Sequence, residues 1–321
     1  MDDPQLKTRA RALLGSRHQV SALGIVSPAG LRCAVLGADP SVDFEIGSVS
    51  KGVTGLLYAD ALDRGEVSGD TRLGDLLPVG DTPVAAVTLE SLSRHSSGLP
   101  RLPAAMSPWR RTFALWRHGT NPYGDTLDEL VAQARTVAVG RSAPFYSNLG
   151  FELLGHAVAA AAGTTYRQLL RDRLVRPLGL GTLYAPAHPA ELRRTALAGR
   201  SRRGRVQEAW TGEALAPAGG IRSTVADLTV LAAALLDGTA PGLGALEPRH
   251  DFSRGVRIGA AWITLGTGDR TVTWHNGRTG GFASWVGLDR SGQTGVVLLS
   301  ATAASLDRHG FRLLAEESPD G

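Results

Sequence analysis

Lysine is nearly missing from this 321-residue chain. Of its 34 basic residues only Lys7 and Lys51 are lysines, so wherever positive charge alone is needed, arginine supplies it. Arginine does not release its proton inside a protein, whereas a lysine that is buried or faces another cation can. A lysine that resists so strong a bias points to a removable proton, unless the two simply survived it. Cysteine is as scarce. Cys33 on its own excludes an intramolecular disulfide, and its apolar setting, LRCAVLG, reads as strand rather than as a reactive thiol.

Long hydrophobic runs are also absent. None reaches the eighteen or so residues of a membrane span, and the first twenty residues mix acids and bases without a signal-peptide core. The expectation is a soluble, cytoplasmic protein without a membrane partner. There is no His-Glu-x-x-His and no cysteine pair, so no metal or other cofactor is expected. Nor is there a Gly-x-Ser-x-Gly elbow, which disfavours the serine hydrolases built around that turn. A net charge of +4 is modest, and its densest stretch, ELRRTALAGRSRRGRV over 191–206, lacks aromatic interleaving. It reads as a solvated loop with an anionic partner as the alternative, and nucleic-acid binding is not expected.

What is present is ordinary globular composition, 43% hydrophobic and 20% charged. The length suits one large domain or two intimate ones. Residues 5–15 have helical spacing, and SALGIVS and LRCAVLG around PAG have the pattern of a hairpin. From Val49 the apolar residues return at Val53, Leu56, Leu57 and Leu62, a helix with Gly52 and Gly55 open to close neighbours. Residues 65–200 read as helical segments broken by Gly and Pro. GVRIGAAWITLG, RTVTWHNG, FASWVGLD and GVVLLS read as strands, the last two joined by RSGQ, before a closing helix near LDRHGFRLLAEE. The expected fold is α/β: an antiparallel sheet flanked by N- and C-terminal helices with a mostly helical insertion. The expected division is a discontinuous sheet domain, 1–65 plus 205–321, an insertion over 66–204, and a cleft between them.

Ser48 falls at the start of the Val49 helix, where a serine often serves only as an N-cap. Lys51 sits three residues on, on the same helix face and within reach of the serine hydroxyl. The helix N-terminus adds partial positive charge and free N–H groups that favour an alkoxide. Together they make a nucleophile with its own base. Ser-x-x-Lys gains weight when companion groups follow, and they do: YSN over 146–148 and HNG over 275–277.

With SVSK over 48–51, these motifs resemble those of the serine β-lactamase and penicillin-binding-protein superfamily, within it the class C β-lactamase-like esterases, D-peptidases and carboxypeptidases. SRHSSGLP over 93–100 and LAPAGGIRSTVADL over 215–228 support the resemblance, which covers about residues 20–315. It implies Ser48 as acylated nucleophile and Lys51 as its proton acceptor. Tyr146 would share the base role and protonate the leaving group, with a structural core tyrosine as the alternative. Asn148 would bind the acyl side and orient Lys51, while Gly277 would let backbone approach the substrate. The backbone N–H groups of Ser48 and Arg278 would form an oxyanion hole. His275 stands where many relatives carry lysine, which would weaken carboxylate binding at neutral pH.

Trp109, Phe113 and Trp116 have helical spacing; they are either core or an apolar acyl or alcohol pocket over the cleft. The implied activity is a serine hydrolase acting through an acyl-enzyme on a small-molecule ester or amide. The alternatives are a biosynthetic acyltransferase, a β-lactamase or D-peptidase, and a non-catalytic binder that kept the fold.

Overall fold

The computed structural model describes residues 3–102, 119–122, 125–267 and 270–318. Trp109, Phe113 and Trp116 lie outside the described residues.

Helix α1 (Pro4–Leu14) starts on Asp3, whose carboxylate accepts from the backbone N–H groups of Gln5 and Leu6, with Pro4 in the first turn. The predicted hairpin follows as β1 (Ser21–Ser27) and β2 (Gly30–Leu36). A two-residue strand β3 (Phe44–Glu45) leads into α2 (Val49–Asp63). After α2 come the short helices α3 (Leu73–Leu76) and α4 (Leu89–Ser93), then α5 (Leu127–Ala134), α6 (Asn148–Ala161) and α7 (Tyr166–Leu170). Strand β4 (Arg222–Ser223) pairs back onto β3, and α8 (Val225–Asp237) returns the chain to the sheet.

Six strands then complete the sheet: β5 (His250–Ser253), β6 (Val256–Ile258), β7 (Ile263–Thr267), β8 (Arg270–Arg278), β9 (Ala283–Asp289) and β10 (Thr294–Ser300). Helix α9 (Asp307–Glu317) closes the chain. The order is β2-β1-β10-β9-β8-β7-β6-β5, antiparallel at every described pairing. Both chain ends therefore meet in one sheet, as expected from strands at both termini.

Two readings need correction. GVRIGAAWITLG is two strands, because the chain turns between Ile258 and Ile263 with Ala261 at φ 69°. Strand β5 precedes it and was not anticipated; its alternate half-exposed residues carry little apolar signal.

The sheet is covered on both faces, which explains its continuous apolar strands. Leu23, Ile25, Trp285, Val296 and Leu298 pack with Leu6, Ala10, Leu313 and Leu314 of α1 and α9. Their alternating neighbours Ala22, Val286, Val297 and Leu299 join the larger core with Val53, Leu56 and Leu57 of α2 and Leu228 and Leu231 of α8. Each fully buried leucine contributes roughly 1.5–3 kcal/mol. Gly55 is what lets α2 lie this close, since a Cβ there would overlap the carbonyl of Ala260. The result is a rigid base carrying the first turn of α2.

Candidate active site

The chain enters α2 through a tight turn. Ile46 N–H donates to the Ile221 carbonyl at 3.0 Å, and Gly47 then takes φ 51°. Ser48 occupies the cap position, yet its side chain makes no capping bond. The hydroxyl instead accepts from Lys51 Nζ at 3.1 Å, and the same nitrogen donates to the Ala218 carbonyl at 2.6 Å. Lys51 is fully buried while Ser48 is half-buried. The 3–4 residue helical spacing thus delivers the contact that sequence alone suggested.

Tyr146 and Asn148 arrive from the start of α6, which Ser147 caps by accepting from Gly150 N–H at 2.9 Å. The Tyr146 ring centroid lies 4.9 Å from Lys51 Nζ, so the lysine nitrogen faces its π-system. Beneath that ring, at 4.4 Å between centroids, lies His95, whose φ is 58°. His95 Nδ1 accepts from Ser147 N–H at 3.2 Å, which fixes the ring proton on Nε2. Burial, then the nearby charges of Lys51 and His275, hold this imidazole well below its ordinary pKa. His95 lies within SRHSSGLP, which supported the family resemblance without giving that histidine a role.

His275 comes from the middle of β8, opposite Val286. It is 1% exposed and lies behind the cleft wall, whereas its neighbours Asn276 and Gly277 line the cleft. Its Nδ1 donates to the Asn276 carbonyl at 2.6 Å, leaving Nε2 as a buried acceptor. Burial and, second, Lys51 lower its pKa to about 4, so it is uncharged near neutrality. A fifth titratable group went unnoticed in the sequence. Glu152 of α6 is 3% exposed, and burial pushes its pKa up to about 8 against the opposing pull of Lys51.

Strand alternation prepares the second half of the site. Thr279 N–H donates to Phe282 O at 3.0 Å, so the N–H of Arg278, one residue earlier, points away from β9. On its other side β7 pairs with β8 only as far as Trp274. Arg278 N–H therefore projects from an open edge. A Cβ on Gly47 would come within 2.7 Å of that nitrogen, and one on Gly277 within 2.9 Å of Ser48 N. The two N–H groups converge because both positions are glycine. They border a cleft of about 430 Å³ lined by Ser48, Tyr146, Arg101, Trp210, Asn276 and Arg278. A larger cavity of about 810 Å³, bordered by His156, Tyr166, Glu191 and Glu213, holds none of the Ser48, Lys51 and Tyr146 group.

Behind the nucleophile turn, β3 and β4 bury Arg222. Its guanidinium pairs with Asp43 and, at 3.1 Å, with Glu45, and also donates to the carbonyls of Asp43 and Leu197. Because Glu45 lies three residues before Ser48, this cluster fixes the approach of the chain to the site.

The chain is similar to known proteins in sequence and in fold. A family model described as Beta-lactamase matches residues 37–317. D-alanyl-D-alanine-carboxypeptidase/endopeptidase AmpH of Escherichia coli (strain K12) is 33% identical over 163 residues, covering 48% of this chain and 40% of that protein. Penicillin-binding protein 4 of Amycolatopsis lactamdurans is 34% identical over 146 residues, covering 43% and 34%. The chain thus spans less than half the length of these two relatives. A class C beta lactamase from Rhodobacter sphaeroides superposes with a TM-score of 0.78 at 20% identity, over 97% of each chain. A Beta-Lactamase/D-Alanine Carboxypeptidase from Pseudomonas syringae gives 0.80 at 17%, over 98% of this chain and 97% of that one. The fold follows from these superpositions, and the match over 37–317 assigns the family: the chain belongs to the beta-lactamase family of serine hydrolases.

Proposed function

We propose that the protein works as an esterase or amidase, hydrolysing a small-molecule substrate through an acyl-enzyme on Ser48. One observation carries this reading: a fully buried lysine donates to a half-exposed serine at a helix start, at 3.1 Å, beside two converging backbone N–H groups.

Each group has a step. As Ser48 Oγ attacks the acyl carbonyl, its proton passes to the free amine of Lys51. The developing oxyanion is met by the N–H groups of Ser48 and Arg278, aided by the positive end of α2. The acyl C–O or C–N bond then breaks, and the leaving group takes a proton through Lys51 and Tyr146. Water adds to the acyl-serine, returning the carboxylic acid and the Ser48 hydroxyl. Asn148 holds the acyl side in this scheme.

The uncharged His275 behind the wall supplies no cation for a β-lactam carboxylate, which leaves Arg101 and Arg278 as the cations lining the cleft. The test compares turnover of an activated short-chain acyl ester, a penicillin and a D-alanyl-D-alanine peptide, with Ser48→Ala as control. Faster Ser48-dependent turnover of the ester is the expected result. Preference for the penicillin or the dipeptide would replace the esterase reading with a β-lactamase or peptidase one. Transfer of the acyl group to an added alcohol or amine in place of water would make it an acyltransferase. No turnover of any would leave a binding protein.

A further inference from the structure

Two unfavourable features fall together on one residue that the proton-transfer scheme does not use. His95 holds a left-handed backbone at φ 58°, a conformation that non-glycine residues seldom adopt. Its side chain is also buried. With Nδ1 accepting from Ser147 N–H at 3.2 Å, the proton on Nε2 is left without a hydrogen-bond partner among the described residues. A strained backbone and an unanswered buried polar atom each cost stability, so they persist only where the surroundings fix them.

The segment that carries Tyr146 supplies those surroundings. The loop 93–101 runs beside residues 140–149. Gly140 N–H donates to the Gly98 carbonyl at 2.9 Å, Ser142 Oγ to that of Ser96 at 2.7 Å and Ser147 Oγ to that of Pro100 at 2.7 Å. His95 takes the place opposite Tyr146. Its carbonyl accepts from Phe145 N–H at 2.7 Å and its Nδ1 from Ser147 N–H, so one residue holds both flanks of the tyrosine. Its ring centroid lies 4.4 Å from that of Tyr146, tilted by 34°, and 4.7 Å from that of Phe151 in the first turn of α6. Glycine would take this φ without strain and keep the Phe145 bond, which uses only the backbone. What histidine adds is its ring, which accepts from Ser147 and packs against Tyr146.

We propose that His95 is a positioning residue for Tyr146: it clamps the backbone on both flanks of the tyrosine and supplies the surface that holds the phenol in the cleft beside Lys51. Because burial first and Lys51 second keep the imidazole uncharged, it does so without adding a repelling cation next to the lysine. This role rests on the acyl-enzyme reading of Ser48, yet the placement of Tyr146 can be followed without turnover.

The chain has five tyrosines, few enough to resolve one by one. With tyrosine labelled by ¹³C in the ring, Tyr146→Phe removes one set of resonances and so assigns it. His95→Asn and His95→Gly both tolerate the left-handed backbone and both remove the imidazole, and asparagine still offers Ser147 N–H an acceptor. In each variant the Tyr146 ring resonances should move. With an activated short-chain acyl ester, kcat should fall about 100-fold while KM stays nearly unchanged. In the Tyr146→Phe background the same substitutions should lower the residual kcat no further, because His95 acts through the tyrosine.

Tyr146 resonances that stay put, an unchanged kcat, or equal losses with and without the tyrosine hydroxyl overturn the proposal. So does loss of the folded state in both variants, read by circular dichroism, since His95 would then support the fold alone. Unmoved resonances in an enzyme that hydrolyses the ester sink this inference by itself. Moved resonances in a protein that acylates nothing sink the acyl-enzyme reading and leave the placement of Tyr146 standing.

Discussion

The Arg222 cluster and the Lys51 cluster are both buried against the start of α2, yet they use their hydrogen-bonding capacity differently. Arg222 bonds to Asp43, to Glu45 and to two carbonyls, so its charge is matched on several sides. Around Lys51 the neighbouring imidazoles are uncharged, and His95 Nε2 and His275 Nε2 are buried without hydrogen-bond partners, as Glu45 Oε2 is in the Arg222 cluster. A buried cation paired directly with two carboxylates holds geometry. A lysine set against a serine hydroxyl and uncharged imidazoles, without a carboxylate ion pair among the described residues, suits proton transfer. Within one helix turn the protein separates support from reaction.

The difference can be broken from either side. Lys51→Arg keeps charge and bulk but removes the transferable proton. Acylation is expected to drop by about 10,000-fold or more, with the unfolding temperature nearly unchanged; near-normal turnover would contradict the role of Lys51. Arg222→Leu should do the reverse. It leaves two carboxylates buried, so calorimetry or urea unfolding should record a loss of about 3–5 kcal/mol, while the fraction that remains folded still acylates.

A smaller effect separates backbone from side chain. In Gly277→Ala the new Cβ meets the Ile46 carbonyl and Ser48 N. The acylation rate should fall about 100- to 1,000-fold, whereas Arg278→Ala, which keeps the N–H, should change it little.

The smallest expected effect is on stability in acid. His275 and His18 are each lowered from 6.5 to about 4 in the folded chain, mainly by burial. The unfolded chain binds these protons first, so their contribution is complete above about pH 6.5 and is lost as pH falls toward 4. His275→Asn should flatten part of that loss, read as the difference in unfolding free energy between the two pH values. An unchanged acid slope would mean that His275 titrates normally.

Which of these parts were legible in the sequence follows from how locally each is encoded. Ser48 and Lys51 are three residues apart on one helix, and a local rule places them together. Tyr146 and His275 reach the site by long-range packing, so only the resemblance carried by YSN and HNG pointed to them. His95 and Glu152 had local signals too weak to act on: a histidine inside a serine-rich loop, and a lone acid at four-residue spacing from Asn148 in an otherwise apolar helix. The Arg222 cluster was invisible because strands of two residues acquire meaning only from pairing β3 with β4 across the chain. The turn at Ala261 was missed because alanine rarely takes positive φ.

The central claim is that Ser48 is acylated, and the most direct measurement is the intact mass of the protein seconds after mixing with an activated short-chain acyl ester, followed by peptide mapping. A mass gain of one acyl group is expected on the peptide containing Ser48, absent in Ser48→Ala and much slower in Lys51→Arg. Turnover of the ester with no adduct on Ser48, or an equal adduct in Ser48→Ala, would contradict it.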